Sequence, residues 1–189
     1  MGTFTIGEAR NKAQAVTLNK SARRVLDEAT VAHTLGKPYD IFLSHAFSDA
    51  ELIVGIKVML ESFGYTVYVD WIDDPQFDRA NVTADTVKQL KERMNNCCSL
   101  VYATTPSSTY SKWMPWECGY IDGKIGRAAI LPITASSLDE YKGQEYLGAY
   151  PYITKDDDKL GHLCLWVNES SSVYCKYDLW LKGNKPTAH

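Results

Sequence analysis

Short apolar runs alternate with longer amphipathic runs through the middle of this chain, and that rhythm leaves few folds open. "YDIFLSH" (Tyr39 to His45) is dense in apolar residues and too short for a helix, as a strand covered on both faces would be. "DAELIVGIKVMLESFG" then carries Leu52, Ile53, Ile56, Met59 and Leu60 on one helical face, with Gly64 as a stop and Asp49 as the expected N-cap. "YTVYVDW" predicts a second strand. "TADTVKQLKERMNNC" predicts a helix with Thr83 and Thr86 as caps and Val87, Leu90 and Met94 on one side. "SLVYATT" and "RAAILPI" predict a third and a fourth strand, separated by a loop and helix in "PSSTYSKWMPWECGYIDGKIG". "SLDEYKGQEYLGAY" is a weak helix or loop, and "PYI" a candidate fifth strand.

Strands alternating with helices imply a parallel sheet with helices on both faces, joined by right-handed crossovers. In such folds the sites lie at the carboxyl ends of the strands. That rule selects the segments after His45, Asp70, Thr105 and Ile133.

The two ends of the chain read differently. Thr5 and Glu8 have capping-box spacing, and Leu18, Ala22, Val25, Ala29 and Ala32 form one apolar stripe ended by Gly36 and Pro38. Packing on the same domain and an oligomer contact both satisfy that stripe. "HLCLWVN" and "SVYCKYDLWL" alternate around the turn "ESSS", with Val173, Cys175, Tyr177, Leu179 and Leu181 on one side, which predicts a β-hairpin. Residues 1–36 are read as a helical extension, 37–155 as the central domain and 156–189 as a hairpin extension packed on it.

Composition narrows the function. The net charge of −3 gives no broad basic face for nucleic acid. Asp156, Asp157 and Asp158 are read as a solvated turn. No apolar run approaches the ~20 residues of a membrane span, and the N-terminus lacks a secretory apolar core. Five cysteines with no CxxC pair fit reduced thiols in a cytoplasm and give no structural zinc motif.

The segment "SKWMPWECGY" places one carboxylate, Glu117, among Trp113, Trp116 and Tyr120. If it is helical, Trp113 lies one turn from Glu117. An indole face suits a flat heterocycle, and a carboxylate suits a sugar hydroxyl or a developing cation. The alternative is that both tryptophans anchor the core and Glu117 is a surface acid.

"YDIFLSHAFSDAELI", "GYTVYVDW" and "SLVYATTPSSTYSKWMPWECGY" occur in order at fitting intervals. Together they resemble a Toll/interleukin-1 receptor (TIR) domain of the stand-alone bacterial type, similar to the Thoeris anti-phage TIR NADases. The likeness covers roughly Lys37 to Ile153. It implies a flavodoxin-like α/β fold and cleavage of NAD at the nicotinamide–ribose bond. It makes Glu117 the catalytic residue and puts Trp113 on the nicotinamide side. NAD is then the substrate, and no cofactor or metal is implied. The same likeness implies self-association through TIR domains and a nucleotide signal to a separate effector protein, with no nucleic-acid or membrane partner. Water as nucleophile gives ADP-ribose, an internal nucleophile a cyclic product, and another small molecule an adduct.

Two further loops carry candidates. After the first strand, Ser44, His45 and Phe47 stand where the family contacts substrate; Ser48 or Asp49 capping the next helix is the plainer account of that loop. After the second, Asp70 and Trp71 are candidates to frame the pocket and Arg79 to reach a phosphate, against a merely solvated loop. Neither GxGxxG nor GxxxxGK[ST] is present, so any pyrophosphate must be held by loops and helix N-termini. Cys118 beside Glu117 lacks the cationic setting of a nucleophilic thiol. Two other readings stay open: a non-catalytic TIR scaffold that works by assembly, and an enzyme similar to a nucleoside deoxyribosyltransferase.

Overall fold

A computed structural model of the protein describes residues 2–19, 38–70, 83–105, 107–137 and 145–189. Its central strands are β2 (Tyr39–Ser44), β3 (Val67–Tyr68), β4 (Cys97–Thr104) and β5 (Ala128–Thr134). They lie side by side in the order β3-β2-β4-β5, all parallel. Helix α2 (Ala50–Ser62) leads from β2 towards β3, α3 (Ala84–Asn95) precedes β4, and α4 (Trp113–Ile125) joins β4 to β5.

The two-residue period of a strand sorts the core into two layers. Ile41 and Leu43 of β2, Val101 and Ala103 of β4, and Ala129, Leu131 and Ile133 of β5 meet Ile53, Ile56 and Leu60 of α2 on one face. On the other, Phe42 of β2, Leu100 and Tyr102 of β4, and Ala128 and Ile130 of β5 meet Leu90 and Met94 of α3 and Met114, Cys118 and Ile121 of α4. The same alternation sends Ser44 to the second face with Phe42. This is the α/β sheet covered on both sides that the sequence predicts.

The N-terminal segment enters the sheet. Strand β1 (Phe4–Thr5) runs parallel to the far end of β5, with Phe4 opposite Ile133 and Thr5 opposite Thr134. Helix α1 (Ile6–Asn19) begins with the expected capping box: the Thr5 N–H donates to Glu8 Oε2 at 3.0 Å, and the Glu8 N–H donates to Thr5 Oγ1 at 3.2 Å. Ala9 and Ala13 are buried where α1 lies on α2. The approach is close enough that a Cβ on Gly55 would stand 1.8 Å from the Ala9 carbonyl oxygen. Only glycine fits there. Ala22, Val25, Ala29 and Ala32, which make up most of the predicted stripe, lie outside the described residues.

Beyond β5 the sheet changes direction. Strand β6 (Tyr152–Asp157) pairs parallel to β5 at Ile130–Tyr152, then antiparallel to β7 (Leu163–Ser170), which pairs antiparallel to β8 (Val173–Lys176). The predicted hairpin is there, but its second strand stops early. Tyr177–Leu181 is a helix, α5, with Tyr177 and Trp180 buried and Leu179 exposed. Buried residues three apart satisfy a helix, and the run "YDLWL" is short enough to fit either period. Tyr177 locks this end to the core: its hydroxyl lies 2.7 Å from Ser99 Oγ, which donates to the Asp40 carbonyl. Asp156 and Asp157 belong to β6, and Asp158 is a turn anchor accepting from the Leu160 and His162 N–H groups and from Lys176, so the acidic triplet is not simply a solvated turn.

Two other expectations need correction. The second strand is only two residues long, and Asp70 is already helical. Asp49 makes no capping hydrogen bond to α2, because its carboxylate accepts from Thr105 Oγ1 at 2.5 Å. That bond ties the turn after β2 to the turn after β4. Thr83 caps α3 as expected, in a reciprocal pair with Thr86.

Candidate active site

Glu117 occupies the second turn of α4, on the side facing the sheet, and it is fully buried. The helix starts where the sequence suggests: Ser111 Oγ accepts from the Met114 N–H at 3.3 Å. Met114, Cys118 and Ile121 turn into the core at spacings of four and three, and Glu117 lies beside them. A carboxylate there is costly to desolvate and needs a partner. Ser44, fully buried at the carboxyl end of β2, supplies one: its hydroxyl donates to Glu117 Oε2 at 2.5 Å. That length belongs to strong O–H···O⁻ bonds.

The alternative reading of this segment fails on one point, the exposure of Glu117. The acid is buried, while Trp113 and Trp116 are half-buried against the second core layer. Trp113 packs edge-on to Trp116 at 5.7 Å between ring centroids. Trp116 in turn stacks on Tyr120 and lies under the Lys91 ammonium. Trp116 and Tyr120 thus face α3. Trp113 begins the helix one turn before Glu117.

His45 and Asp70 join the same end of the sheet. Both are buried. His45 Nδ1 lies 3.0 Å from the Leu43 carbonyl, an atom that only accepts, so Nδ1 carries the proton. That places Nε2 3.9 Å from Asp70 Oδ1, beyond a normal hydrogen bond. The ring thus lies between the end of β2 and Asp70. Phe47 lies in a 3-10 turn, Phe47–Asp49, and is 75% exposed. Ser44, His45, Asp70 and Glu117 are thus gathered at the carboxyl edge, Trp113 and Phe47 border it, and Trp71 and Arg79 lie outside the described residues.

Three residues at this end of the sheet, Tyr102, Thr105 and Ser108, were not among the candidates read from the sequence. Tyr102 lies opposite Ser44 across the β2–β4 ladder and points to the same face. Thr105 and Ser108 close a tight turn, each hydroxyl accepting from the other's N–H, while Thr105 bonds Asp49. The signal for Tyr102 was available, since parallel register and strand period place it beside Ser44. Burial pushes the Cys118 thiol up to about 11, with the charges of Asp122 and Glu117 adding to the effect. It stays protonated at neutral pH, which removes it as a nucleophile. Among the described residues no group of acids, histidines and cysteines is arranged to hold a metal ion.

No protein-family model matches the chain. Among curated proteins it is 44% identical over 173 residues to the probable 3' cyclic ADP-D-ribose synthase ThsB' of Bacillus cereus strain MSX-D12, a match covering 88% of this chain and 87% of that one. The chain belongs to the ThsB' family of bacterial TIR proteins. A second relative is the putative cyclic ADP-D-ribose synthase TIR2 of Cytobacillus dafuensis, 29% identical over 85 residues, which are 44% of this chain and 22% of that one. Among solved structures, the TIR domain of the Toll-related receptor TRR-2 from Hydra magnipapillata aligns with a TM-score of 0.43 at 18% identity, over 60% of this chain and 82% of that one. In the present chain the parallel β2, β3, β4 order carries a buried acid, Glu117, on the helix after β4.

Proposed function

We propose that this protein cleaves the nicotinamide–ribose bond of NAD and closes the remaining ADP-ribose into a cyclic nucleotide, a signal in anti-phage defence. The observation that carries the reading is the fully buried Glu117, held by Ser44 at the carboxyl edge of the sheet. The 44% identity to a probable 3' cyclic ADP-D-ribose synthase supports it.

The chemistry suits one acid. Nicotinamide departs as a neutral molecule, so no general acid is needed to protonate it. The transition state resembles an oxocarbenium ion, as in glycoside cleavage. A carboxylate fixed beside the ribose binds that charge more tightly than it binds the ground state, and the dry setting strengthens the attraction. Ser44 keeps Glu117 in one orientation. In this reading Trp113 lines the nicotinamide, Phe47 meets the ribose or base, His45 and Asp70 shape the floor, and Trp71 and Arg79 reach the adenosine and phosphates. NAD is a substrate, and the chain's own side chains do the chemistry.

The reading extends to partners. TIR domains of neighbouring copies complete or stabilise the site, and the product reaches a separate effector in the cytoplasm. No helix among the described residues is long and apolar enough to cross a membrane.

Incubating purified protein with NAD and identifying the products by mass spectrometry tests this. Nicotinamide and a cyclic ADP-ribose are expected. Intact NAD at high protein concentration would favour the non-catalytic scaffold, and turnover of deoxynucleosides instead would favour the deoxyribosyltransferase-like reading.

A further inference from the structure

The connections after β2 and β4 share a second side-chain link to which the cleavage step gives no role. The β2–β4 ladder runs up to Ser44 opposite Tyr102. Past that pair, Thr105 Oγ1 donates to Asp49 Oδ2 at 2.5 Å. Asp49 stands at the N-cap of α2, where a carboxylate ordinarily accepts from the free N–H groups of the helix, yet it makes no such bond. Its own N–H donates to the Ala46 carbonyl at 3.0 Å and closes the turn that carries Phe47.

From Thr105 a run of hydrogen bonds leads to the acid in steps of three residues. The Ser108 N–H donates to Thr105 Oγ1 at 3.2 Å, and Ser108 Oγ donates to the Thr105 carbonyl at 2.8 Å. The Ser111 N–H donates to the Ser108 carbonyl at 3.2 Å, and Ser111 Oγ accepts from the Met114 N–H at 3.3 Å. Glu117 follows three residues later on α4. Thr105 and Ser108 are 7% and 5% exposed, which leaves water little access to these bonds. The Ser44–Glu117 bond closes the frame. The stretch from Ser44 to Asp49 and the stretch from Thr105 to Glu117 are therefore bonded to each other at both ends.

We infer that Asp49 and Thr105 are positioning residues, whose bond holds the Glu117 carboxylate in the orientation that the cleavage step requires. This rests on the NAD-cleaving reading above. In that reading neither residue touches the substrate; both act through the closed frame. Without their bond the frame is held at the Ser44 end alone, and the carboxylate spends less time aimed at the reacting sugar. The charge it must balance develops only in the transition state. A poorly aimed acid therefore lowers kcat and leaves substrate binding nearly as it was.

Nicotinamide release is measured over a range of NAD concentrations for wild type, Thr105→Val, Thr105→Ser, Asp49→Ala and the double variant of Asp49→Ala with Thr105→Val. Rates are taken per folded molecule, with the folded fraction from circular dichroism. Thr105→Val keeps the shape and loses the hydroxyl. It should lower kcat about tenfold with KM within about twofold of wild type. Thr105→Ser keeps the donor and should hold kcat within about twofold. Asp49→Ala should match Thr105→Val, and the double variant should fall no further than either, because both remove the same bond. Where Thr105→Val or Asp49→Ala fails to fold, the other decides together with Thr105→Ser. An unchanged kcat per folded molecule, a rise in KM alone, or a Thr105→Ser as slow as Thr105→Val overturns the inference while leaving NAD cleavage standing. A wild type that releases no nicotinamide refutes the NAD reading itself, and this inference with it.

Discussion

The two faces of the sheet are built from the same strands yet differ in kind. On the face under α1 and α2, β2, β4 and β5 contribute Ile41, Leu43, Val101, Ala103, Ala129, Leu131 and Ile133, a largely aliphatic layer. On the opposite face the same strands present Phe42, Ser44, Leu100 and Tyr102, with Glu117 fully buried among them. Aliphatic packing contributes stability roughly in proportion to area. A buried acid contributes little to stability and costs desolvation. On the proposed function, the first face serves folding alone and the second also carries the chemistry, so substitutions on each should separate stability from turnover.

The largest effect should come from Glu117→Gln. Nicotinamide release should fall at least about 100-fold, the scale of removing one preorganised electrostatic group, while circular dichroism stays native. Gly55→Val probes the other face. Its side chain meets the Ala9 carbonyl, so unfolding free energy should drop by about 1–3 kcal/mol in a denaturant titration, with turnover per folded molecule retained. Ser44→Ala leaves Glu117 in place and removes the Ser44 hydrogen bond, and turnover should fall about tenfold, as for one lost charge-assisted hydrogen bond. Cys118→Ala should change turnover least. In native protein Cys118 should also resist alkylation after the half-buried Cys98 and Cys164 have reacted, as checked by mass mapping. Fast labelling of Cys118, or its loss abolishing turnover, would return the thiol to the mechanism.

Much of this division was legible in the sequence because it follows from period. "YDIFLSH" and "SLVYATT" are too apolar to be one-sided strands, and both are covered on two faces. The Thr5–Glu8 and Thr83–Thr86 caps were visible as spacings, since a capping box is local. Long-range facts were not legible. Whether "YDLWL" extends a strand or turns into a helix is decided by Tyr177 reaching Ser99, 78 residues away. Asp49 looked like a cap until Thr105 claimed its carboxylate across two loops. At the candidate site, the aromatic setting and the family resemblance single out Glu117 in the sequence. Its burial depends on Ser44, which lies 73 residues earlier, and composition does not encode that pairing.

The most direct measurement is a crystal structure of this protein with a slowly cleaved NAD analogue bound. The account predicts the nicotinamide-bearing ribose at the carboxyl edge of β2 and β4, with a hydroxyl within about 3.2 Å of the Glu117 carboxylate. Analogue seated elsewhere, with Glu117 still closed against Ser44 and no ribose near it, would contradict the account.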